Sequence, residues 1–232
     1  MRAVAIVPAY NEEASVGEVV RQLLARGDID VVVIDDGSAD ATGEAARSAG
    51  ARVVTLPFNL GIGGAVQTGY CFARDHGYDV AVQVDGDGQH LPSEIGRLLS
   101  ALGGGAADLA LGSRYLGEAR YHASKTRRLG MVVFSAVVSA VTGQRLHDTT
   151  SGFRAAGRGV IEYCAEHYPR DYPEVEALVL LRRAGFRIVE TPCEFRERAA
   201  GQSSITAGRS IYYVIKVLLA IAVGLFRRVP LR

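Results

Sequence analysis

Apolar residues follow two alternating patterns through the first half of the chain. Short, β-branched runs bounded by Gly, Pro, Asn or Asp occupy residues 4–7, 31–34, 52–56 and 80–84, and predict buried strands. Between them the apolar positions spread to helical spacing over residues 14–25, 41–49 and 64–76. A helix over 92–102, opened by Pro92-Ser93, and a strand over 108–111 continue the series. Strands alternating with helices of about ten residues predict an α/β fold built from βαβ units, Rossmann-like, with a mostly parallel central sheet and helices on both faces. The Gly103-Gly104-Gly105 run is a turn between elements, and no internal repeat or low-complexity linker breaks the chain.

The second half is less regular. Residues 112–126 are polar and predict a loop, 129–141 an apolar helix, and 148–155 a loop entering a short strand. Residues 173–184 predict a helix. Residues 186–196 predict a strand that Pro192 assigns to a sheet edge or a bulge. A polar stretch over 197–206 precedes a last helix from about Ala207 to Phe226. We expect residues 1–206 to carry the chemistry and 207–232 to form a separate apolar helix with a basic tail.

Composition narrows the class. Across 232 residues, 48% are hydrophobic and 22% charged, which excludes a disordered chain. A net charge of +1 argues against a nucleic-acid partner. The balance hides a gradient: residues 205–232 hold five basic groups and no acid, leaving 21 basic against 25 acidic groups elsewhere, a net −4. Cys71, Cys164 and Cys193 are odd in number and too scattered for a metal hook, so we expect buried thiols in a reducing compartment. The N-terminus enters a strand directly, without a signal-peptide pattern. The apolar run 211–226 is 16 residues long and broken by Lys216, short of the ~20 residues of a membrane span. With Tyr212, Tyr213 and Phe226 on it and Arg227 and Arg228 after it, this helix fits either an interfacial position on anionic lipid or docking on the core or a second subunit.

Open parallel sheets bind ligands beyond the carboxyl ends of their strands, and the unusual residues lie there. VPAYNEE (7–13) follows the first strand, DDGS (35–38) the second, NLGIGGA (59–65) the third and DGDGQH (85–90) the fourth. Asp85 and Asp87, separated by a glycine, can face one point; adjacent carboxylates repel unless a cation lies between them, and oxygen ligands suit Mg²⁺ or Mn²⁺ with a substrate diphosphate. The alternative is a plain acidic turn. Gln89 and His90 make an EF-hand a poor fit, and Gln89 also argues against a phosphatase of the DxD type. In DDGS, Ser38 or Asp40 can cap the next helix, which accounts for one acid but not two. The Gly61–Gly64 stretch lacks the spacing of a dinucleotide fingerprint and serves close packing or ligand approach. His90 adjoins the acid pair; His76, His122, His147 and His167 are scattered and predict surface or structural roles.

The first three segments and QVDGDGQH (83–90), in order, with GSRY (112–115) and DTTSGFRA (148–155), resemble family 2 glycosyltransferases of the GT-A fold, and within them the branch of dolichol-phosphate mannose synthases and other polyprenyl-phosphate glycosyltransferases. The resemblance spans about residues 4–204. It implies an inverting, metal-dependent transfer from a nucleoside-diphosphate sugar. Pro8, Ala9, Tyr10, Glu12, Asp36 and Asp85 would hold the nucleotide, and Asp85, Asp87 and Gln89 the Mg²⁺ or Mn²⁺. Arg114, Arg127 (with Arg128 as the fallback) and Arg198 would meet phosphate, with Ser151 and Gly152 beside the acceptor. Asp87 and the three arginines would carry catalysis. The resemblance further implies a cytoplasmic enzyme peripheral to the inner face of the membrane, acting on a lipid phosphate; a homodimer or a small membrane-protein partner is left open. Three positions depart from the family pattern: Ser203-Ser204 where Ser-Lys is common, Met131 where a serine is common, and the DYPEVE segment at 171–176. Glu174 or Glu176 could act as base toward a glycan hydroxyl acceptor, or simply favour a helix N-terminus. A third reading is a non-catalytic nucleotide-sugar-binding scaffold.

Overall fold

The computed structural model describes residues 1–116, 125–196, 207–226 and 229–231, with side chains described outside 125–131 and 207–215. Seven strands form one sheet in the order β3-β2-β1-β4-β6-β5-β7. They are β1 (Ala3–Ala9), β2 (Asp30–Asp35), β3 (Arg52–Thr55), β4 (Val80–Gln83), β5 (Leu109–Ser113), β6 (Arg154–Gly157) and β7 (Ile188–Pro192). All run parallel except β6, which is antiparallel to both β4 and β5. Every residue of β1, β4 and β5 is buried, as continuous apolar runs require when both sheet faces are covered. Strands β3 and β7 form the edges and are only partly buried; Pro192 ends β7, where no ladder hydrogen bond is needed from it.

Alternation along the strands feeds two cores. Val4, Ile6, Val32 and Ile34 face α3 (Gly61–Asp75), α5 (Lys125–Thr142), α6 (Arg158–His167), α7 (Pro173–Arg183) and α8 (Ala207–Phe226). Ala5, Val7, Val31 and Val33 face α1 (Val16–Leu24), α2 (Thr42–Ser48) and α4 (Ile95–Leu102). Gly69 brings α3 hard against β1: a Cβ there would lie 2.2 Å from Ile6 Cγ2.

Two elements differ from the sequence reading. Helix α3 starts at Gly61 rather than three residues later, because the Asp36 carboxylate, from another loop, accepts the N–H groups of Leu60 (2.7 Å) and Gly61 (2.9 Å). Helix α6 was not anticipated, although its buried Val160, Ile161, Cys164 and Ala165 recur at helical spacing.

Helix α8 docks on the core. Val217 and Ile221 are buried, and the helix packs against α5 and α7. Arg183 of α7 donates to the Gly224 carbonyl and, at 3.1 Å, to the Leu225 carbonyl, closing the end of α8 with a cation where the helix dipole favours one. Tyr163 Oη donates to the Pro230 carbonyl at 3.1 Å. The opposite face leaves Leu219, Val223 and Phe226 exposed, the last by 91%. Among the described residues no helix is long and apolar enough to cross a membrane. All three cysteines are free; burial pushes the Cys164 and Cys193 thiols up to about 12.

Candidate active site

The loops after β1 and β2 are zipped together. The Asn11 N–H donates to Ser38 Oγ (3.0 Å), and Asn11 Oδ1 accepts from the Ala39 N–H (2.9 Å). The Glu12 N–H donates to Thr42 Oγ1 (2.8 Å), and Glu13 Oε2 accepts from the Ala41 N–H (3.0 Å). Asn11 adopts φ +53, a left-handed conformation that asparagine tolerates better than most residues. Both acids after Ile34 have backbone work. Asp35 Oδ1 accepts from the Ser38 N–H (3.0 Å), while Asp36 caps α3. Asp40, not Ser38, takes the first N–H of α2 (3.0 Å). Burial raises the Asp36 carboxyl above its usual range, against the pull of its two N–H donors.

These loops wall a cavity of about 380 Å³ at the carboxyl edge of the sheet. Pro8, Ala9, Tyr10, Glu12 and Asp36 line one side, and Asp85 and Asp87 the other. Six residues assigned to the nucleotide thus share one cavity. Asn59, Gly61 and Ile62 of the NLGIGGA segment also line it, where the sequence placed that segment.

A second, smaller cavity of about 110 Å³ lies on the other side of Asp85, lined by Gln89, Arg114, Ser151 and Gly152. Asp85 borders both cavities; Asp87 borders the first and Gln89 only the second. Asp87 is buried, and its Oδ1 accepts from the Gln89 N–H (3.0 Å). His90 is also buried. Its Nδ1 accepts the Asp85 N–H (3.0 Å), so the neutral ring carries its proton on Nε2, 3.6 Å from Asp85 Oδ2. Burial lowers the His90 pKa despite the nearby Asp85 and Asp87 carboxylates.

Arg114 is gripped from below. Its Nε and Nη2 each donate to Asp148 at 2.7 Å, its backbone N–H donates to the same carboxylate at 3.0 Å, and Nη2 also reaches Thr150 Oγ1 at 3.2 Å. The Asp148 side chain is fully buried, and Glu190 accepts the Asp148 and His147 N–H groups. A fork held this way presents its outer edge in a fixed direction, which suits phosphate.

The two glutamates of α7 diverge. Glu174 is half-buried; burial raises its carboxyl pKa, with a smaller push from Asp85, and Arg154 opposes. Glu176 Oε1 instead accepts the Tyr172 N–H at 3.2 Å and lines a separate cavity of about 450 Å³ walled by α3, α7 and α8. Arg198 lies outside the described residues, as do Ser203 and Ser204; Arg127, Arg128 and Met131 lie on α5 with side chains outside the described set. The sequence did not mark Gln83, Asp148, Arg154 and Glu190 individually, although Gln83 stands inside QVDGDGQH and Asp148 and Arg154 inside DTTSGFRA.

The acid pair fits a divalent metal in donor type. Among the described residues no three His, Cys, Asp or Glu side chains gather as a complete protein site. Two carboxylates share the larger cavity, and Gln83, whose Nε2 is 3.4 Å from Asp85 Oδ1, has a buried Oε1 without a partner. A partial, all-oxygen set completed by water and substrate phosphate is what Mg²⁺ and Mn²⁺ favour.

Comparison with known proteins agrees with this layout. The profile of Glycosyl transferase family 2 matches residues 4–164. Polyprenol monophosphomannose synthase of Mycolicibacterium smegmatis is 33% identical over 227 residues, covering 93% of this chain and 85% of that one. Undecaprenyl-phosphate mannosyltransferase of Micrococcus luteus is 34% identical over 218 residues, covering 90% and 89%. Crystalline glucosyl-3-phosphoglycerate synthase of Mycobacterium tuberculosis, in complex with Mn²⁺, UDP and glucosyl-3-phosphoglycerate, superposes with a TM-score of 0.72 at 22% identity, over 94% of this chain and 79% of that one. At that identity the likeness establishes the GT-A fold. With loops in family order around a two-chambered crevice and a profile covering most of the sheet, this chain belongs to glycosyl transferase family 2 and is a glycosyltransferase.

Proposed function

We propose that the enzyme transfers a sugar, with inversion, from a nucleoside diphosphate to a polyprenyl phosphate at the membrane surface. The observation that carries this reading is the position of Asp85 as the wall common to both chambers: a donor bound along Pro8–Glu12 brings its diphosphate to the acid that an acceptor beside Arg114 also meets. The names of the M. smegmatis and M. luteus relatives support the acceptor class.

Asp85 and Asp87 would hold Mg²⁺ or Mn²⁺, which supplies charge neutralisation to the departing diphosphate. Asp36, committed to α3, sets the floor of the nucleotide chamber through that helix. Arg114, fixed by Asp148, orients an anionic acceptor, and Arg127 and Arg198 are proposed to share that task. A lipid phosphate is already ionised at neutral pH and needs no base. The exposed row Leu219, Val223 and Phe226, beside a tail containing Arg227, Arg228 and Arg232, supports a peripheral position on anionic lipid at the cytoplasmic face.

A second reading is transfer to a sugar hydroxyl, with Glu174, at the start of α7 and with a carboxyl pKa raised chiefly by burial, as the candidate base. Incubating the full chain with Mn²⁺ or Mg²⁺, a panel of nucleotide sugars and a polyprenyl phosphate tests the proposal. We expect a lipid-linked sugar product, lost by about 100-fold or more in Asp85→Asn. Donor turnover only with a glycan hydroxyl would overturn the lipid reading.

A further inference from the structure

Arg154 opens β6, the one reversed strand, and is among the largest fully buried side chains, 2% exposed. No carboxylate lies within ion-pair distance of it among the described residues. Its Nε instead donates to the Ser151 carbonyl at 2.9 Å, and its Nη2 to the Glu174 carbonyl at the start of α7. A guanidinium taken out of water is costly to keep, and two neutral carbonyls repay that cost only in part. Those carbonyls belong to the loop ahead of β6 and to the helix on its other side, so the fork ties the two together.

That loop bears on Asp85 from two directions. A Cβ at Gly152 would lie 3.1 Å from Asp85 Oδ1 and 2.9 Å from Gln83 Nε2, so the glycine backbone lies directly against the carboxylate. The next residue, Phe153, is fully buried and stacks on His90 with ring centroids 4.8 Å apart, and His90 accepts the Asp85 N–H. The side chain and the main chain of Asp85 therefore both rest on residues 152–153, and Arg154 is the anchor that fixes where those residues lie.

We propose that Arg154 is a positioning residue for the transfer reaction: by bridging Ser151 and Glu174 it holds the Gly152–Phe153 backbone against Asp85. This rests on the function proposed above. Arg154 touches neither chamber, so its loss should act through Asp85, which borders both. A misplacement of about 1 Å at a reacting group is enough to cost on the order of 100-fold in rate.

The test uses the full chain carrying Arg154→Gln or Arg154→Lys, with whichever nucleotide sugar supports wild-type turnover. For Arg154→Gln we expect kcat to fall by about tenfold or more. Arg154→Lys should not rescue, because one ammonium cannot span both carbonyls in the guanidinium geometry. Amide hydrogen exchange, which needs no substrate, should quicken in Arg154→Gln at residues 149–153 and 174–177 and stay unchanged at 4–7 and 31–34. Unchanged exchange, unchanged kcat in Arg154→Gln, or recovery of turnover in Arg154→Lys would each overturn the proposal. If Arg154→Gln fails to fold, Gly152→Ala pushes on Asp85 with the anchor intact: a comparable fall in kcat with normal melting supports it, and full turnover overturns it. A wild type inactive with every donor defeats the transfer reading alone, since hydrogen exchange still reports on the anchor.

Discussion

Glu174 and Glu176, two residues apart on one helix, have different fates. Glu176 accepts the N–H of Tyr172, whereas the half-buried Glu174 has its carboxyl pKa raised chiefly by burial. Because burial raises the Glu174 pKa, the folded chain holds its proton more tightly than the unfolded chain, whose carboxyl has the ordinary value of 4.5. Below 4.5 both states are protonated; as pH rises through the window above it, the unfolded state ionises first and stability is lost. Glu174→Gln should therefore unfold at higher urea than wild type at pH 8, with the difference closing as pH approaches 4.5. With a lipid phosphate as acceptor, the same variant should keep its turnover. Much at this scale was legible: the residues after β1, β2 and β4 announce themselves because a parallel sheet gathers strand ends. The tasks of Asp36 and Arg154 were not, because their partners are backbone groups 24 and 20 residues away, which no local pattern records.

Helices show the same division. The α1 and α4 stripes could be read directly, since each buries one face on a sheet already covered by apolar strands. The start of α3 could not, because its cap arrives from the β2 loop. For α8 the sequence left lipid, core and partner open, and the structure supplies one of its two faces: Val217 and Ile221 go inward. Cutting the chain at Thr206 would thus uncover core as well as remove a surface. Arg183→Ala is the sharper probe of docking. Losing its donors to the Gly224 and Leu225 carbonyls should cost about 1–2 kcal/mol and expose residues around 207 to limited proteolysis, measured by urea melts and by cleavage rate.

Across the whole molecule, two cores share one sheet but not one duty. Both cores reach the cavity walled by Pro8, Asp36 and Asp85, one through Ala9 and the other through Ala65 of α3; only the second carries α5, α8 and the exposed row on α8. Substituting Leu219 and Val223, 59% and 54% exposed, by Ser should leave melting nearly unchanged while weakening binding to anionic vesicles, followed by co-sedimentation. Undiminished sedimentation would detach that row from lipid.

The reversal of β6 has a consequence for how such an enzyme can diversify. Six strands approach the crevice and release the chain there; β6 alone receives it there, so residues 148–153 enter the sheet where their neighbours depart. Rewriting that inbound stretch alters the rim beside Arg114 while every outbound segment around the nucleotide keeps its register. On the proposed function, donor and acceptor preference then drift separately about Asp85, which lines both cavities.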